Sequence, residues 1–340
     1  EGVVAMANIK KLFSIFASVV LAVSLGTSGS ASAASIDDPA AFESVASIAV
    51  DGMGAVSQLS TVEMSRNRQL SVGAVYVAET QKYKISAFTT GAEGAMVQTD
   101  IITDEAKQLD RVTGVSLVNS AALKKYVLAW AGFVQNEDGD KLISQIVAVT
   151  STDGVKWSKP VNIAANRTDL VDAEGLFGGY SNVQLFNLGK SVGAIYLAKA
   201  GTKATDKTAI QFSSTSNSTT RSKAKQVNGT TSALNNLRVQ IDELTSGTNI
   251  FWDVYVEKTE TWSLYAANAS AKSGSFGAAT AVLSKLPSPA SYTLGHNGKD
   301  DSLLAFIDKG ENDDYSFIRI LKKSATGTWT TQAKGSKVSI

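Results

Sequence analysis

Ser151-Thr152-Asp153-Gly154-Val155-Lys156-Trp157 is a short polar run that closes on a tryptophan. It follows the apolar run Ile146 to Val149 and precedes Ser158-Lys159-Pro160-Val161-Asn162-Ile163, so the stretch reads as strand, tight hairpin, strand. Each residue type has a physical task at such a corner. A carboxylate accepts hydrogen bonds from backbone N–H groups that the turn leaves unpaired, glycine takes up a positive φ angle, and an indole covers apolar side chains beneath the loop. The tasks are structural, so the run informs on architecture and leaves chemistry open.

Working outward, the chain repeats itself. Ser71-Val72-Gly73-Ala74-Val75-Tyr76-Val77-Ala78 recurs as Ser191-Val192-Gly193-Ala194-Ile195-Tyr196-Leu197-Ala198, and three further apolar runs, Tyr126 to Ala131, Ile250 to Val256 and Leu303 to Ile307, complete a set of five. A shorter alternating strand precedes each, centred on Leu59, Leu117, Leu185, Ile241 and Leu294. A third strand follows each: Lys84 to Phe88, Gln145 to Thr150, Ala209 to Ser213, Trp262 to Ala267 and Ser316 to Leu321. A more polar fourth segment ends every unit, at Met96 to Thr103, Lys156 to Ile163, Arg221 to Val227, Ser275 to Val282 and Thr328 to Val338. Four strands in each unit of roughly 55 residues is the make-up of a propeller blade. A near-continuous apolar strand in second place suits a blade covered on both faces by its neighbours. The expected fold is all-β, a β-propeller of four-stranded blades, five recognisable and five or six in total, with Ala41 to Val50 supplying either a closing outer strand or the remnant of a sixth blade. A pair of β-sandwiches is the alternative that short strands with turn signals also allow.

Composition bounds the function classes. Of 340 residues 44% are hydrophobic and 19% charged, enough apolar surface for a core and too much for wholesale disorder. Thirty-two Lys and Arg against 31 Asp and Glu give a net charge of +1, which supplies no global field for nucleic acid or an anionic membrane. Cysteine is absent and His296 is the sole histidine, so disulfides, thiolate metal sites and histidine clusters are excluded, and no cofactor or metal is expected. Lys10-Lys11, the apolar run Leu12 to Leu25 and the small residues Ala31-Ser32-Ala33-Ala34 read as a secretory signal peptide starting at Met6, with Glu1 to Ala5 as an upstream remnant. The expectation is therefore residues 1–34 as leader and 35–340 as one propeller domain, secreted or held at the extracellular surface, with no membrane span once the leader is cleaved.

Repeated four-stranded units together with the run Ser151 to Trp157 resemble the Asp-box, or bacterial neuraminidase repeat, propellers of the sialidase-like superfamily. Ser151, Asp153, Gly154 and Trp157 are the structural box residues of that resemblance. The box is one residue shorter than the family's Ser-x-Asp-x-Gly-x-x-Trp, the fourth unit keeps only Asn268-Ala269-Ser270, and the fifth keeps Gly327-Thr328-Trp329. Membership implies an exo-sialidase in which three arginines clamp the sugar carboxylate, a Tyr–Glu pair provides nucleophile and base, and an Asp is the acid. Seven arginines are present, Arg66, Arg68, Arg111, Arg167, Arg221, Arg238 and Arg319, but the family's Arg-Ile-Pro tripeptide is not.

Propeller ligands dock at the axial mouth, so residues at the ends of the innermost strands are the candidates. Arg111, Tyr180, Asn182, Arg238, Tyr292 and His296 are the expected ligand-binding set, because aromatic faces and planar polar groups suit sugar rings and their hydroxyls. The carboxylate pairs Asp172 and Glu174, and Asp242 and Glu243, are weighed as glycosidase pairs. Strand alternation puts Asp242 and Glu243 on opposite faces, so at most one reaches the channel. The acidic loops Asn136 to Asp140 and Asp308 to Asp314 read as hairpin turns rather than calcium loops. The sequence thus points to a non-catalytic propeller binding a glycan or a cell-surface protein at its mouth, with a sialidase-like glycoside hydrolase as first alternative and a structural surface protein as second.

Overall fold

The structure is a computed structural model, and it describes residues 56–65, 68–90, 96–168, 178–202, 206, 208–217, 221–227, 239–244, 247–272, 275–286, 288, 292–296, 301–309, 316–323 and 329–338. The expected leader, the Ala41 to Val50 segment, Arg238, and the pair Asp172 and Glu174 lie outside the described residues.

Twenty strands form five four-stranded sheets, each antiparallel and in chain order from its inner to its outer edge. The first blade is β1 (Val56–Ser65), β2 (Arg68–Val77), β3 (Lys82–Thr90) and β4 (Met96–Asp100). The second is β5 (Arg111–Ser120), β6 (Lys125–Gln135), β7 (Leu142–Ser151) and β8 (Val161–Asn162). The third is β9 (Gly179–Leu188), β10 (Ser191–Lys199), β11 (Thr208–Thr215) and β12 (Lys225–Gln226). The fourth is β13 (Val239–Leu244), β14 (Gly247–Val256), β15 (Thr261–Ser270) and β16 (Thr280–Leu286). The fifth is β17 (Tyr292–His296), β18 (Ser302–Lys309), β19 (Ser316–Lys323) and β20 (Thr330–Val338). Contacts run β1 to β5, β5 to β9, β9 to β13 and β13 to β17, so the first strands of successive blades adjoin around an axis. The described residues form a β-propeller of five four-stranded blades. No helix among the described residues is long and apolar enough to cross a membrane.

Four apolar clusters fill the seams between successive blades. The second strands are apolar on both faces because both faces are covered: every residue from Tyr126 to Phe133 of β6 is buried, and so are Val192 to Leu197 of β10. Each fully buried Leu, Ile or Phe contributes about 1.5–3 kcal/mol relative to exposure, so the seams are the main source of stability.

An innermost strand has one edge without a ladder partner, and its N–H and C=O groups need other partners. Side chains of the preceding blade supply them. Ser60 Oγ accepts from Leu117 N at 3.0 Å, and Ser116 Oγ accepts from Leu185 N at 2.9 Å. Gln184 Nε2 donates to Val239 O at 2.7 Å, and Thr113 Oγ1 donates to Tyr180 O at 2.8 Å. A buried chain joins the fourth and fifth blades, where Ser302 Oγ donates to Asp242 Oδ2 at 2.6 Å and receives Asn249 Nδ2 at 2.7 Å.

The corner at 151–157 behaves as its residue types require. Asp153 Oδ1 accepts from Val155 N at 2.9 Å and Lys156 N at 2.8 Å, and Ser151 Oγ accepts from Gly154 N at 2.8 Å. The bonds from Lys156 and Val155 hold the Asp153 carboxyl below its ordinary pKa. Gly154 takes φ +76°, and a Cβ there would press on Met64 and Leu70 of the first blade. Trp157 packs on the cluster shared by those two blades.

One position past the third strand recurs in all five blades. The residue six positions past the end of the third strand is Met96, Trp157, Arg221, Phe276 and Trp329 in blade order. Phe276 meets Phe186 and Phe212 of the third blade at 6.4 and 5.0 Å, and Trp329 meets Phe251 of the fourth at 5.6 Å. The corner aromatics thus seat on the preceding blade.

Candidate functional site

The expected ligand residues fall in three places. Arg111 is the exposed first residue of β5, beside Asp110, whose N donates to Phe133 O at 2.9 Å and whose carboxylate lies 3.6 Å from Lys82 Nζ. Asn182 sits half-buried at a bulge of β9 with φ 50° and accepts from Gln184 Nε2 at 3.2 Å. Its backbone lies against Gly114 of β5, where a Cβ would come within 3.2 Å of Asn182 N. Tyr292 opens β17 and packs its ring 6.2 Å from Phe251, joining the last seam. Tyr180 turns instead into the seam between the second and third blades, donating its hydroxyl to Ala165 O at 2.8 Å.

His296 ends β17, paired with Ser302. It stands two residues past Leu294, as Asn119, Asn187 and Glu243 stand two past Leu117, Leu185 and Ile241. That register position is a polar ring at one mouth of the axis. Asn119 Nδ2 donates to Glu63 O at 3.3 Å, Asn187 Nδ2 to Asn119 O at 3.2 Å, and Asn187 N to Glu243 Oε2 at 3.2 Å, linking four blades. Glu63, Asn119 and Glu243 remain exposed. Burial is the largest influence on the Glu243 carboxyl and holds it above its ordinary range, against the opposing bonds from Asn187. Asp242 points the other way into the buried chain with Ser302, as alternation requires. Of the ring, the sequence reading reached His296 and Glu243 and missed Glu63, Asn119 and Asn187. The common offset from the apolar centre was the available signal for Asn119 and Asn187, while Glu63 stands four residues past Leu59 and has no such signal.

A second concavity lies off the axis. A cavity of about 560 Å³ opens between the outer parts of the second and third blades. Tyr180 and Ala198 are cross-strand partners on β9 and β10, and Tyr196 and Gln211 on β10 and β11, and all four line it from the third blade. Ala164, Ala165 and Arg167 face them from the second blade. Alanines on both walls are what leave the space. Arg167 clamps the seam, with Nη1 donating to Lys199 O at 2.8 Å, Nη2 to Ala200 O at 3.0 Å, and the guanidinium 5.7 Å from the Tyr180 ring centre. Tyr180 and Tyr196 meet edge to face at 5.6 Å. Burial pushes the Tyr196 phenol up to about 12.

The loop at 136–141 closes on itself. Asn136 Nδ2 donates to Asp140 Oδ1 at 2.7 Å, Asn136 Oδ1 accepts from Lys141 N at 3.0 Å, and Gly139 takes φ +72°. It is a hairpin turn, and among the described residues no group of three acidic or histidine side chains is placed to hold a metal ion.

No protein-family model matches the chain, and no curated protein does. Among solved structures, the GH93 α-L-arabinofuranosidase of Fusarium graminearum in complex with arabinobiose aligns over 84% of this chain and 82% of its own, at 13% identity and a TM-score of 0.48. NanB sialidase from Streptococcus pneumoniae aligns over 82% of this chain and 60% of its own, at 10% identity and a TM-score of 0.46. The GH32 β-fructofuranosidase BmSUC1 of Bombyx mori aligns over 82% and 63%, at 8% identity and a TM-score of 0.40.

Proposed function

We propose that this propeller binds glycans at its axial mouth. The observation that carries the reading is the ring in which Glu63, Asn119 and Glu243 present exposed carboxylate and amide groups beside the axis. Side-chain-to-backbone hydrogen bonds across four blades fix their spacing before any ligand arrives. Planar acceptors held at fixed separation suit vicinal hydroxyls, and preorganisation lowers the ordering cost of binding. Arg111, Asn182 and Tyr292 belong to the same reading from the other end of the innermost strands, with His296 in the ring's register, and Arg238, outside the described residues, is proposed with them. Export by the leader at 1–34 and the Asp-box character of Ser151, Asp153, Gly154 and Trp157 go with it. The test is a glycan array with the purified protein, followed by titration of each hit against Glu63→Gln, Glu243→Gln and Arg111→Ala. Retention of one glycan class, weakened by the Glu243 or Glu63 change, supports the reading. An array without hits, on a folded protein, overturns it.

A second reading, a sialidase-like exo-glycoside hydrolase, has its own observation: two exposed carboxylates, Glu63 and Glu243, stand at one mouth, and glycosidases need a carboxylate pair. Fluorogenic α-sialoside, α-L-arabinofuranoside and β-fructofuranoside substrates separate the two. Turnover abolished by Glu63→Gln or Glu243→Gln establishes hydrolysis, and binding without turnover establishes the non-catalytic reading.

A further inference from the structure

The third blade has a cation where its neighbours have apolar cover. Six residues past the third strand the side chain is Met96, Trp157, Phe276 or Trp329 in four blades, and Arg221 in the remaining one. The third corner is otherwise built like the second. Thr215 and Asn217 bond as Ser151 and Asp153 do, at 3.3 and 3.0 Å. Ser222 exchanges with Ser214 as Ser158 does with Thr150, with both N–H to carbonyl bonds at 2.8 Å and both hydroxyl bonds at 3.0 Å. Arg221 thus stands in the third blade at the position of Trp157 in the second, with Tyr196 of β10 as its neighbour.

There Arg221 Nη1 is buried with no hydrogen-bond partner, and among the described residues no ion pair to Arg221 forms. Burial draws the guanidinium down to about 10, and its electrostatic neighbour is Tyr196. A cation withdrawn from water without a counter-ion destabilises the fold until something negative meets it. The cavity beside it has room for that group: Tyr196 lines it, and so do Ser222 and Lys223, the next residues along the chain. Arg167 lines the opposite wall, and among the described residues no carboxylate lines the cavity. Its volume of about 560 Å³ falls within the roughly 300–1,000 Å³ of small-molecule sites.

We infer that the seam between the second and third blades is a binding site for a small oxyanion, a carboxylate or sulfate group, met in the cavity by Lys223 and the Tyr196 hydroxyl, with the charge of Arg221 held in the wall beside Tyr196. Arg221 does not line the cavity itself, and it acts there as an uncompensated positive charge close to the bound group. The site is separate from the axial mouth and does not depend on the glycan reading there.

The experiment titrates the whole chain with sodium sulfate, with D-glucuronate and with D-glucose at constant ionic strength, reading calorimetric binding and the melting temperature. Either anion is expected to saturate and to raise the melting temperature while glucose does neither. Tighter binding of glucuronate marks an acidic sugar, and tighter binding of sulfate marks an inorganic oxyanion. Arg221→Trp, which restores the residue of the second and fifth corners, is expected to fold and to weaken anion binding about tenfold, the loss of a nearby uncompensated positive charge. Arg221→Gln gives the same loss with a polar side chain of similar reach, should the indole not fit. Absence of saturable anion binding in the wild type overturns the inference, and so does undiminished binding in both variants.

Discussion

Arg221 occupies in the third blade the corner position that Trp157 occupies in the second, each six residues past the end of its third strand. One caps a seam with an indole, and the other brings a guanidinium to a seam that retains a cavity. On the proposed anion site, stability and ligand affinity are set against each other at a single repeat position.

Truncating the two corners is expected to have opposite effects. Trp157→Ala removes cover from the first seam and costs about 2–3 kcal/mol, below the range for a fully buried Trp because the ring is only partly buried. Arg221→Leu replaces an uncompensated cation and stabilises by about 1 kcal/mol. Urea unfolding midpoints at unchanged m-value provide the measurement.

Ser302→Ala is expected to loosen the fifth blade. It leaves Asp242 Oδ2 without its 2.6 Å donor and Asn249 Nδ2 without its acceptor, both in a buried setting. A loss of about 2–3 kcal/mol follows from orphaned buried groups. Hydrogen exchange should show faster opening in β17 and β18 than in β5 and β6, and uniform acceleration across all blades would contradict the assignment.

Asp100 gives the acid limb of the stability curve. Burial opposes its ionisation, but bonds from Lys84 at 2.6 Å, Gln98 at 2.8 Å and Ser86 at 2.8 Å outweigh burial and hold its carboxyl below the ordinary value. With the folded pKa depressed, the unfolded chain binds the proton first. The contribution is complete above the unfolded pKa of about 3.9 and is lost as pH falls through the folded value. Asp100→Asn should flatten stability against pH below about pH 4 relative to wild type, leaving the slope at neutral pH unchanged.

Gly132→Ala is expected to disrupt the start of the second blade. A Cβ on Gly132 would stand 2.5 Å from Arg111 O, a backbone atom that cannot swing aside. The strain is worth about 1–3 kcal/mol. Circular dichroism melting, with Ala131→Gly as a control for the neighbouring buried position, separates this clash from a general loss of core.

Much of the fold is legible in the sequence because its signal is local. All five apolar runs became second strands, and Leu59, Leu117, Leu185, Ile241 and Leu294 all fall in first strands. The fourth strands were less legible. The segment Lys156 to Ile163 keeps only Val161–Asn162 as strand, because Pro160 has no N–H to give the ladder and an outer strand has a partner on one side only. The segment Arg221 to Val227 shrinks likewise to Lys225–Gln226. The corner of the third blade was illegible for another reason: its spacing is kept while Thr215, Asn217 and Arg221 stand where Ser, Asp and Trp stand at 151, 153 and 157. Only matching hydrogen bonds expose the equivalence.

Composition and periodicity, acting within each unit, determined that this chain would form five four-stranded sheets, since alternation and apolar runs fix which residues pair and which are covered. Tertiary structure alone decided which side chains meet across blades. Ser60 and Leu117, Asn187 and Glu243, and Ala164 and Ala198 are joined by closure of sheet upon sheet, a long-range packing outcome that no local pattern encodes. The ring at the mouth and the cationic cavity in the seam both arise from that closure.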